Sequence, residues 1–181
     1  MPGRIAGLIV AAAVLIGGGC TSPPAGVEPI SGFEAERYAG KWYAIKRLDH
    51  RFERGLTDVT AEYELLDDGR VRVVNRGLDP EACQWREVEG TARFQGDPEV
   101  ASLTVTFFWP IRGGYHVLAL DRDGYDWALV SGPTRGYLWI LARESELEAG
   151  VVNELVDKAS ELGFNAEELI QVTHGKHECD L

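Results

Sequence analysis

Apolar and polar side chains alternate with a period of two from Gly40 to about Arg143. This period predicts β-strands, because successive side chains of a strand point to opposite faces of the sheet. Short clusters of Gly, Asp and Pro, typical of turns, separate the alternating segments, and Gly113-Gly114 is one of them. The predicted strands are 42–48, 57–66, 70–76, 85–94, 102–108, 115–120, 127–130 and 137–142. About eight short strands with tight turns predict an all-β barrel or sandwich.

The period changes to that of a helix after residue 144. Ser145 and Glu148 have the spacing of a capping box, and Gly163 follows the last apolar position. A single apolar stripe needs a partner surface, so we expect one C-terminal α-helix packed outside the sheet. Residues 169–173 predict a short final strand. The stripe consists of Leu147, Val151, Val152, Leu155, Ala159 and Leu162.

The alternation also separates an apolar face from a polar face on nearly every strand. A closed antiparallel sheet has this property, with an apolar interior and an exterior that meets water. Small residues occur on the predicted inner face, and they indicate that the interior is not completely filled. They are Ala44, Ala61, Gly90, Ala92 and Ala119.

The N-terminus resembles an export signal. Arg4 precedes an apolar run over 5–16, which is too short to span a bilayer, and three glycines follow. Cys20 after these small residues resembles the acylation site of a bacterial lipoprotein, which would carry palmitate, although Gly17 stands where such sites usually have Leu. An ordinary secretory signal with an incidental cysteine is the alternative.

We predict a signal peptide at 1–19, a poorly folding tether at 20–32 and one domain at 33–181. Thr21, where inner-membrane lipoproteins commonly have Asp, favours a periplasm-facing lipoprotein of the outer membrane.

Charge and cysteine content narrow the class of protein further. The formal net charge is -11, so the phosphates of a nucleic acid would be repelled. Export places Cys83 and Cys179 in an oxidising compartment, which favours one long-range disulfide. Two free thiols are the alternative.

Several dispersed motifs resemble the lipocalin family. Gly40-Lys41-Trp42-Tyr43 matches the motif that opens the first lipocalin strand, and Arg143 matches the arginine that stacks across that tryptophan. The segments DHRFERG, FFWPIRGGYHVLALD, ALVSGP and YLWILAR resemble the lipoprotein lipocalins of bacterial outer membranes. The resemblance implies an eight-stranded antiparallel up-and-down barrel with a C-terminal helix, whose cavity binds fatty acids or lysophospholipids. It also implies a structural role for Trp42 and Arg143 at the barrel floor.

We predict a ligand site on the inner face of this barrel. Lys46 shares the parity of Trp42 and Ala44, and it approaches the open end together with Arg47, His50, Arg51 and Arg54. These cations either receive an anionic head group or pair with nearby carboxylates, as exposed charges usually do. The predicted ligand-binding residues are Ala44, Lys46, Tyr63, Phe94, Val105, Phe107, Tyr115, Val117 and Trp139.

Other chemistry has weak support in the sequence. Asp121 to Asp126 lacks the length of a calcium loop, and a metal site of His174, His177, Cys179 and Asp180 competes with the disulfide. We expect no metal, no cofactor and no catalytic residue.

The leading hypothesis is a membrane-anchored lipid carrier, with a homodimer as an open possibility. The alternatives are an enzyme acting on a lipid or isoprenoid, for which His116 and Ser131 would have to meet in the cavity, and a filled barrel that anchors partners.

Overall fold

The computed structural model describes residues 21–175 and Cys179. Eight antiparallel strands form one sheet, and β1 pairs with both β8 and β2, which closes the sheet into a barrel. The predicted all-β barrel is confirmed. The strands are β1 (Gly40–Arg47), β2 (Thr57–Leu65), β3 (Val71–Asp79), β4 (Gln84–Phe94), β5 (Ser102–Phe108), β6 (Ile111–Leu120), β7 (Trp127–Ser131) and β8 (Leu138–Ala142), with a two-residue β9 (Ile170–Gln171) beside the end of β1.

Two apolar clusters divide the core, one on each side of the barrel wall. The inner cluster contains Trp42, Val105 and Leu141, and the outer cluster contains Ile140 and Leu155. Leu155 belongs to α2 (Ala149–Glu161), so the C-terminal helix packs on the outside of the barrel, as predicted. The strand alternation therefore produces an apolar interior and reserves the outer apolar positions for the helix.

The start of α2 differs from the prediction. Glu148 itself is the N-cap, and its carboxylate accepts hydrogen bonds from the backbone N–H groups of Gly150 and Val151 at 2.9 and 3.2 Å. The predicted capping box with Ser145 is wrong, because this side chain satisfies the free N–H groups of the first turn alone. Gly163 follows the helix with a φ of +80°, as expected of a residue that ends a helix.

The turn predicted at Gly113-Gly114 is also wrong. β6 begins at Ile111, so the turn from β5 lies at Trp109-Pro110, whose peptide bond is cis. A Cβ atom on Gly114 would lie 2.5 Å from the carbonyl oxygen of Thr21. This glycine therefore permits the close approach of another backbone segment within a strand, where the sequence suggested a turn.

The segment predicted as a poorly folding tether packs on the barrel. Val27 is buried against the outer cluster, and the Ile30 N–H donates to the carbonyl oxygen of Val117 at 2.9 Å. The prediction missed these two apolar side chains within a polar stretch. The signal peptide and Cys20 lie outside the described residues, so acylation of Cys20 stays a prediction.

The two ends of the barrel differ in their loops. The mouth consists of the loops 48–56, 80–83, 109–110 and 132–137, and the floor consists of the loops 66–70, 95–101 and 121–126. The short helix α1 (Ala35–Tyr38), which the pattern did not predict, precedes β1 at the floor, and a 3-10 turn (Ala166–Glu168) follows α2. The predicted disulfide between Cys83 and Cys179 is present and ties the β3–β4 loop to the C-terminal segment.

Candidate functional site

The floor is built around Trp42, which is completely buried. Its indole N–H donates to the Tyr38 carbonyl oxygen at 2.8 Å, and the Arg143 guanidinium carbon lies 4.0 Å from the ring centroid. The predicted cation–π contact is therefore present. Arg143 also donates to the carbonyl oxygens of Ala39 and Lys41, among others, so that it joins α1 to the end of β8. Burial lowers the pKa of Arg143 from its usual value.

An apolar cavity lies above this floor inside the barrel. Its volume is about 30 Å³, which is room for one or two water molecules. Tyr63, Phe94, Val105 and Tyr115 were predicted from the sequence and do line it. The complete lining is Phe33, Ala35, Tyr38, Ala39, Tyr63, Leu65, Val71, Val73, Ala92, Phe94, Leu103, Val105 and Tyr115.

Three tyrosine hydroxyls are the polar groups of this cavity. The hydroxyl oxygens of Tyr38 and Tyr115 lie 2.7 Å apart, and the Tyr63 ring packs edge-on against that of Tyr115, with the ring centroids 5.7 Å apart. Burial raises the pKa of all three phenols well above the usual value, so they stay protonated at physiological pH. The cluster can therefore both donate and accept hydrogen bonds beside an otherwise apolar space.

The other predicted ligand residues also belong to the inner side of the barrel, with one exception. Ala44 and Val117 are members of the inner cluster, and Phe107 and Trp139 pack against it. A Cβ atom on Gly90 would lie 2.6 Å from Cδ1 of Phe107, so the Phe107 ring covers this glycine. These four side chains do not line the cavity of 30 Å³.

The exception is Lys46, whose predicted inward direction is wrong. The register of β1 against β8 shifts between Ala44 and Lys46, so that Lys46 lies opposite Ile140 of the outer cluster. Arg47 takes the inner position, opposite Trp139. A bulge inserts one residue into a strand and reverses the parity of every side chain after it. No residue in the sequence marks this bulge, so the period-two pattern could not locate it.

Arg47 is buried at the mouth, with only 1% of its surface exposed. One terminal nitrogen donates to the Glu53 carbonyl oxygen at 2.6 Å, and its Nε lies 3.5 Å from the Glu53 carboxylate. The same carboxylate accepts from the indole N–H of Trp139 at 3.1 Å and lies 3.5 Å from Nε2 of buried His50. The β1–β2 loop is thus tied across the mouth by a charged cluster. Of the other predicted rim cations, Arg54 pairs with Asp49 at 2.8 Å.

His116 and Ser131 do not meet in the cavity. They are register partners in β6 and β7, next to inward-facing Val117 and Val130, so both point out of the barrel. His116 Nδ1 lies 3.0 Å from the Ser102 hydroxyl, and the ring is buried beside the backbone of Thr21. Burial lowers the pKa of His116. The arrangement therefore does not support hydrolysis inside the barrel.

The weak metal candidates have structural partners. The Asp121 carboxylate accepts from backbone N–H groups within its own turn, as expected for a hairpin. His174 Nε2 lies 2.9 Å from the Ala44 carbonyl oxygen, and Cys179 is in the disulfide. His177 and Asp180 lie outside the described residues. In the described part of the chain, no three His, Cys, Asp or Glu side chains group as a metal site requires.

Comparison with known proteins identifies the family. The family model of the lipocalin-like domain matches residues 33–174. This chain belongs to the lipocalin family. Outer membrane lipoprotein Blc of Citrobacter freundii is 46% identical over 164 residues, which cover 91% of this chain and 92% of that relative. The Blc of Escherichia coli K12 is 49% identical over 155 residues, 84% of this chain and 87% of the relative.

Relatives outside bacteria and solved structures agree with this assignment. Mouse apolipoprotein D is 31% identical over 161 residues, covering 84% of this chain and 80% of the relative. Insecticyanin from Manduca sexta has the same fold, with a TM-score of 0.69 at 21% identity over 86% of this chain and 88% of that one. The predicted membership of the outer membrane lipoprotein branch is confirmed by the Blc relatives. Acylation at Cys20 and the side of the membrane stay predictions.

Proposed function

We propose that this lipocalin is a carrier or store for single-chain lipids, fatty acids or lysophospholipids, in the cell envelope. The observation that carries the proposal is the closed barrel with an apolar interior, whose wall includes Ala44, Gly90 and Ala92. Because these wall residues are small, larger neighbouring side chains can occupy the space beside them or leave it for a ligand. Each methylene of an acyl chain moved from water into such an interior contributes about 0.8 kcal/mol.

The ligand requires more room than the cavity of about 30 Å³ offers. Phe107 is the side chain best placed to make room, because it is partly exposed, packs on the inner cluster and lies over Gly90. Release of the β1–β2 loop at Glu53 would open the mouth above it. We therefore propose that the tail enters through the mouth and displaces side chains of the upper barrel.

Arg47 is the proposed partner of an anionic head group, in place of Lys46. Its guanidinium is buried on the inner side, where one terminal nitrogen lies 3.4 Å from the Asp49 carboxylate and Nε lies 3.5 Å from the Glu53 carboxylate, distances beyond an ordinary hydrogen bond. A carboxylate or phosphate that replaces the Glu53 carboxylate would keep this buried charge paired. The tyrosine cluster lies at the opposite end of the interior, where a tail would end.

The experiment compares neighbouring cations on opposite faces of β1. Arg47→Gln should weaken binding of a fatty acid by about ten-fold or more, because a charge-assisted hydrogen bond contributes about 1.5–3 kcal/mol. Binding of the fatty alcohol of equal length should change far less. Lys46→Gln is the matched control and should leave both affinities unchanged. Equal losses of acid and alcohol in Arg47→Gln would remove Arg47 from the site.

Native mass spectrometry of the protein extracted from its own membrane tests the carrier function itself. A single fatty acid or lysophospholipid bound per chain is the expected result. Extracted protein without lipid, which also fails to take up either class when they are supplied, would contradict the proposal. The same spectra report whether the chain forms a homodimer, which the sequence leaves open. His116 and Ser131 face away from the interior, so this pair gives the enzyme hypothesis no support.

A further inference from the structure

The large apolar side chains that are exposed gather at the mouth of the barrel. In the part of the chain that the structure describes, Ile170 is the one such residue outside the mouth loops and the strand ends beside them. Trp109 is 76% exposed and Ile111 is 71% exposed, at the tip of the β5–β6 hairpin. The full set at the mouth is Phe52, Trp85, Phe108, Trp109 and Ile111. A cluster of this kind on one end of a barrel indicates a contact surface.

Arginines accompany three of the exposed rings. The guanidinium carbon of Arg51 lies 4.8 Å from the Phe52 ring centroid, that of Arg76 lies 5.1 Å from the Trp85 centroid and that of Arg112 lies 5.0 Å from the Trp109 centroid. Arg76 also pairs with Glu87 at 3.1 Å. We call these three arginines and the five apolar residues the mouth patch.

The floor has the opposite character. In the described chain its loops carry no exposed large apolar side chain. Their charged residues are mainly acidic, although Arg70 and Arg122 lie among them. The barrel therefore differs along its axis: the mouth carries the exposed apolar side chains together with charges of both signs, including Asp49, Glu53 and Glu81, whereas the floor loops are mainly acidic. The floor carboxylates are Asp67, Asp68, Asp97, Glu99, Asp121, Asp123 and Asp126.

The chain enters the described structure on the side of the β5–β6 hairpin. The Thr21 carbonyl oxygen accepts from the Gln95 side chain at 2.6 Å and lies beside Gly114 on the outer face of β6. Gly114 is three residues from Ile111, which corresponds to about 10 Å along a strand. The predicted acylation site, Cys20, directly precedes Thr21 in sequence. The membrane anchor predicted there would thus join the outer wall of the barrel, between Gly114 of β6 and Gln95 of the floor loop 95–101.

We propose that the mouth patch docks on the anionic phospholipid surface of a bilayer, so that the mouth opens onto the lipid. Trp and other amphipathic rings favour the interface of a membrane, and arginines are attracted to anionic head groups. A second copy of the chain fits less well, since mouth-to-mouth contact would bring the arginines of the two copies together. The docking proposal rests on the proposed function in one respect only: it names the bilayer as the source of the lipid ligand.

Quenching of tryptophan fluorescence tests docking in the intact protein. The protein extracted from membranes is reconstituted in phosphatidylglycerol vesicles whose acyl chains carry bromine, which quenches only nearby indoles. We expect quenching in the wild type and a large reduction in Trp85→Phe/Trp109→Phe, because Trp42 and Trp127 lie at the floor and Trp139 is half-buried inside the barrel beneath the β1–β2 loop. Equal quenching in both proteins would overturn the proposal, since the anchor alone would then explain it.

Further variants of the mouth patch keep both reporter tryptophans, Trp85 and Trp109, in place. Phe108→Ser/Ile111→Ser should lower the docked fraction about ten-fold or more, because two exposed apolar side chains lose their burial in lipid. Arg112→Glu should lower it about five-fold on phosphatidylglycerol and far less on phosphatidylcholine. Arg93→Glu, the same charge change on the exposed outer face of β4 near the floor, is the matched control and should have no effect. Circular dichroism checks that the variants fold.

Two further results would overturn the docking proposal. One is unchanged quenching in Phe108→Ser/Ile111→Ser, and the other is a dimer in ultracentrifugation that this variant dissociates, which would assign the patch to a second copy. Failure of the proposed function is seen separately, by titration of a fatty acid in the absence of vesicles. A chain that binds fatty acid and does not dock refutes only the docking surface. A chain that docks and binds no fatty acid refutes only the carrier function.

Discussion

The strongest structural prediction concerns Arg143 at the floor. Its guanidinium donates to four carbonyl oxygens at 2.6–3.2 Å and lies over Trp42, which is itself fully buried. Arg143→Met keeps part of the stem and removes all five interactions. Four hydrogen bonds at about 1 kcal/mol each and a cation–π contact of about 1 kcal/mol give about 5 kcal/mol. Because the floor is partly exposed and water replaces some of these bonds, we expect a loss of about 2–3 kcal/mol.

Urea unfolding followed by tryptophan fluorescence measures this loss as a change in the free energy of unfolding. Arg143→Lys should fall between the wild type and Arg143→Met, because lysine keeps the charge and loses the fork of donors. Arg93→Met, at an exposed position on β4, should stay within about 0.5 kcal/mol of the wild type. A change below about 0.5 kcal/mol in Arg143→Met would refute the role of Arg143 in holding the floor together.

Three further predictions concern the barrel wall, the disulfide and the tyrosine cluster. Gly90→Ala should destabilise the fold by about 1–3 kcal/mol in urea unfolding, because the new methyl group meets the Phe107 ring and the Thr106 carbonyl oxygen, and Phe107→Ala should relieve only the contact with the ring. Cys83→Ser/Cys179→Ser opens a loop of 96 residues and should cost about 4 kcal/mol in the same measurement; no change would contradict this. Burial raises the pKa of Tyr115, so the stability it contributes is present below pH about 10 and falls above it. Tyr115→Phe should reduce that alkaline loss, and an unchanged pH profile would exclude this source.

Much of the fold could be predicted from alternation, since a period of two identifies strands and their inner faces without knowledge of pairing. The short helix α1 and the packing of 21–32 could not, because they depend on contacts with distant strands, such as the bond from Ile30 to Val117. Gly114 shows the same limit: a glycine in a strand and a glycine in a turn look alike until the neighbouring backbone is known.

The alternation of the sequence predicts the apolar residues of the candidate site, but it does not predict the charged ones. Tyr63, Val105 and Tyr115 follow from parity within stretches of β2, β5 and β6 that contain no register shift, and they line the cavity. Parity does not predict Arg47, because the bulge before it turns Lys46 outward and places Arg47 on the inner face. One inserted residue in β1 therefore decides which cation lies inside the barrel, and local sequence does not record it.

A lipid tail is proposed to occupy the interior of the barrel, and variants that fill this interior test the proposal. Ala92 lines the cavity, whereas Thr91 precedes it on the outer face of the same strand. Titration with a fluorescent fatty acid should show one site per chain in the wild type and in Thr91→Phe, and greatly weakened binding in Ala92→Phe. Undiminished binding by a folded Ala92→Phe protein would show that the lipid binds elsewhere and would contradict the account.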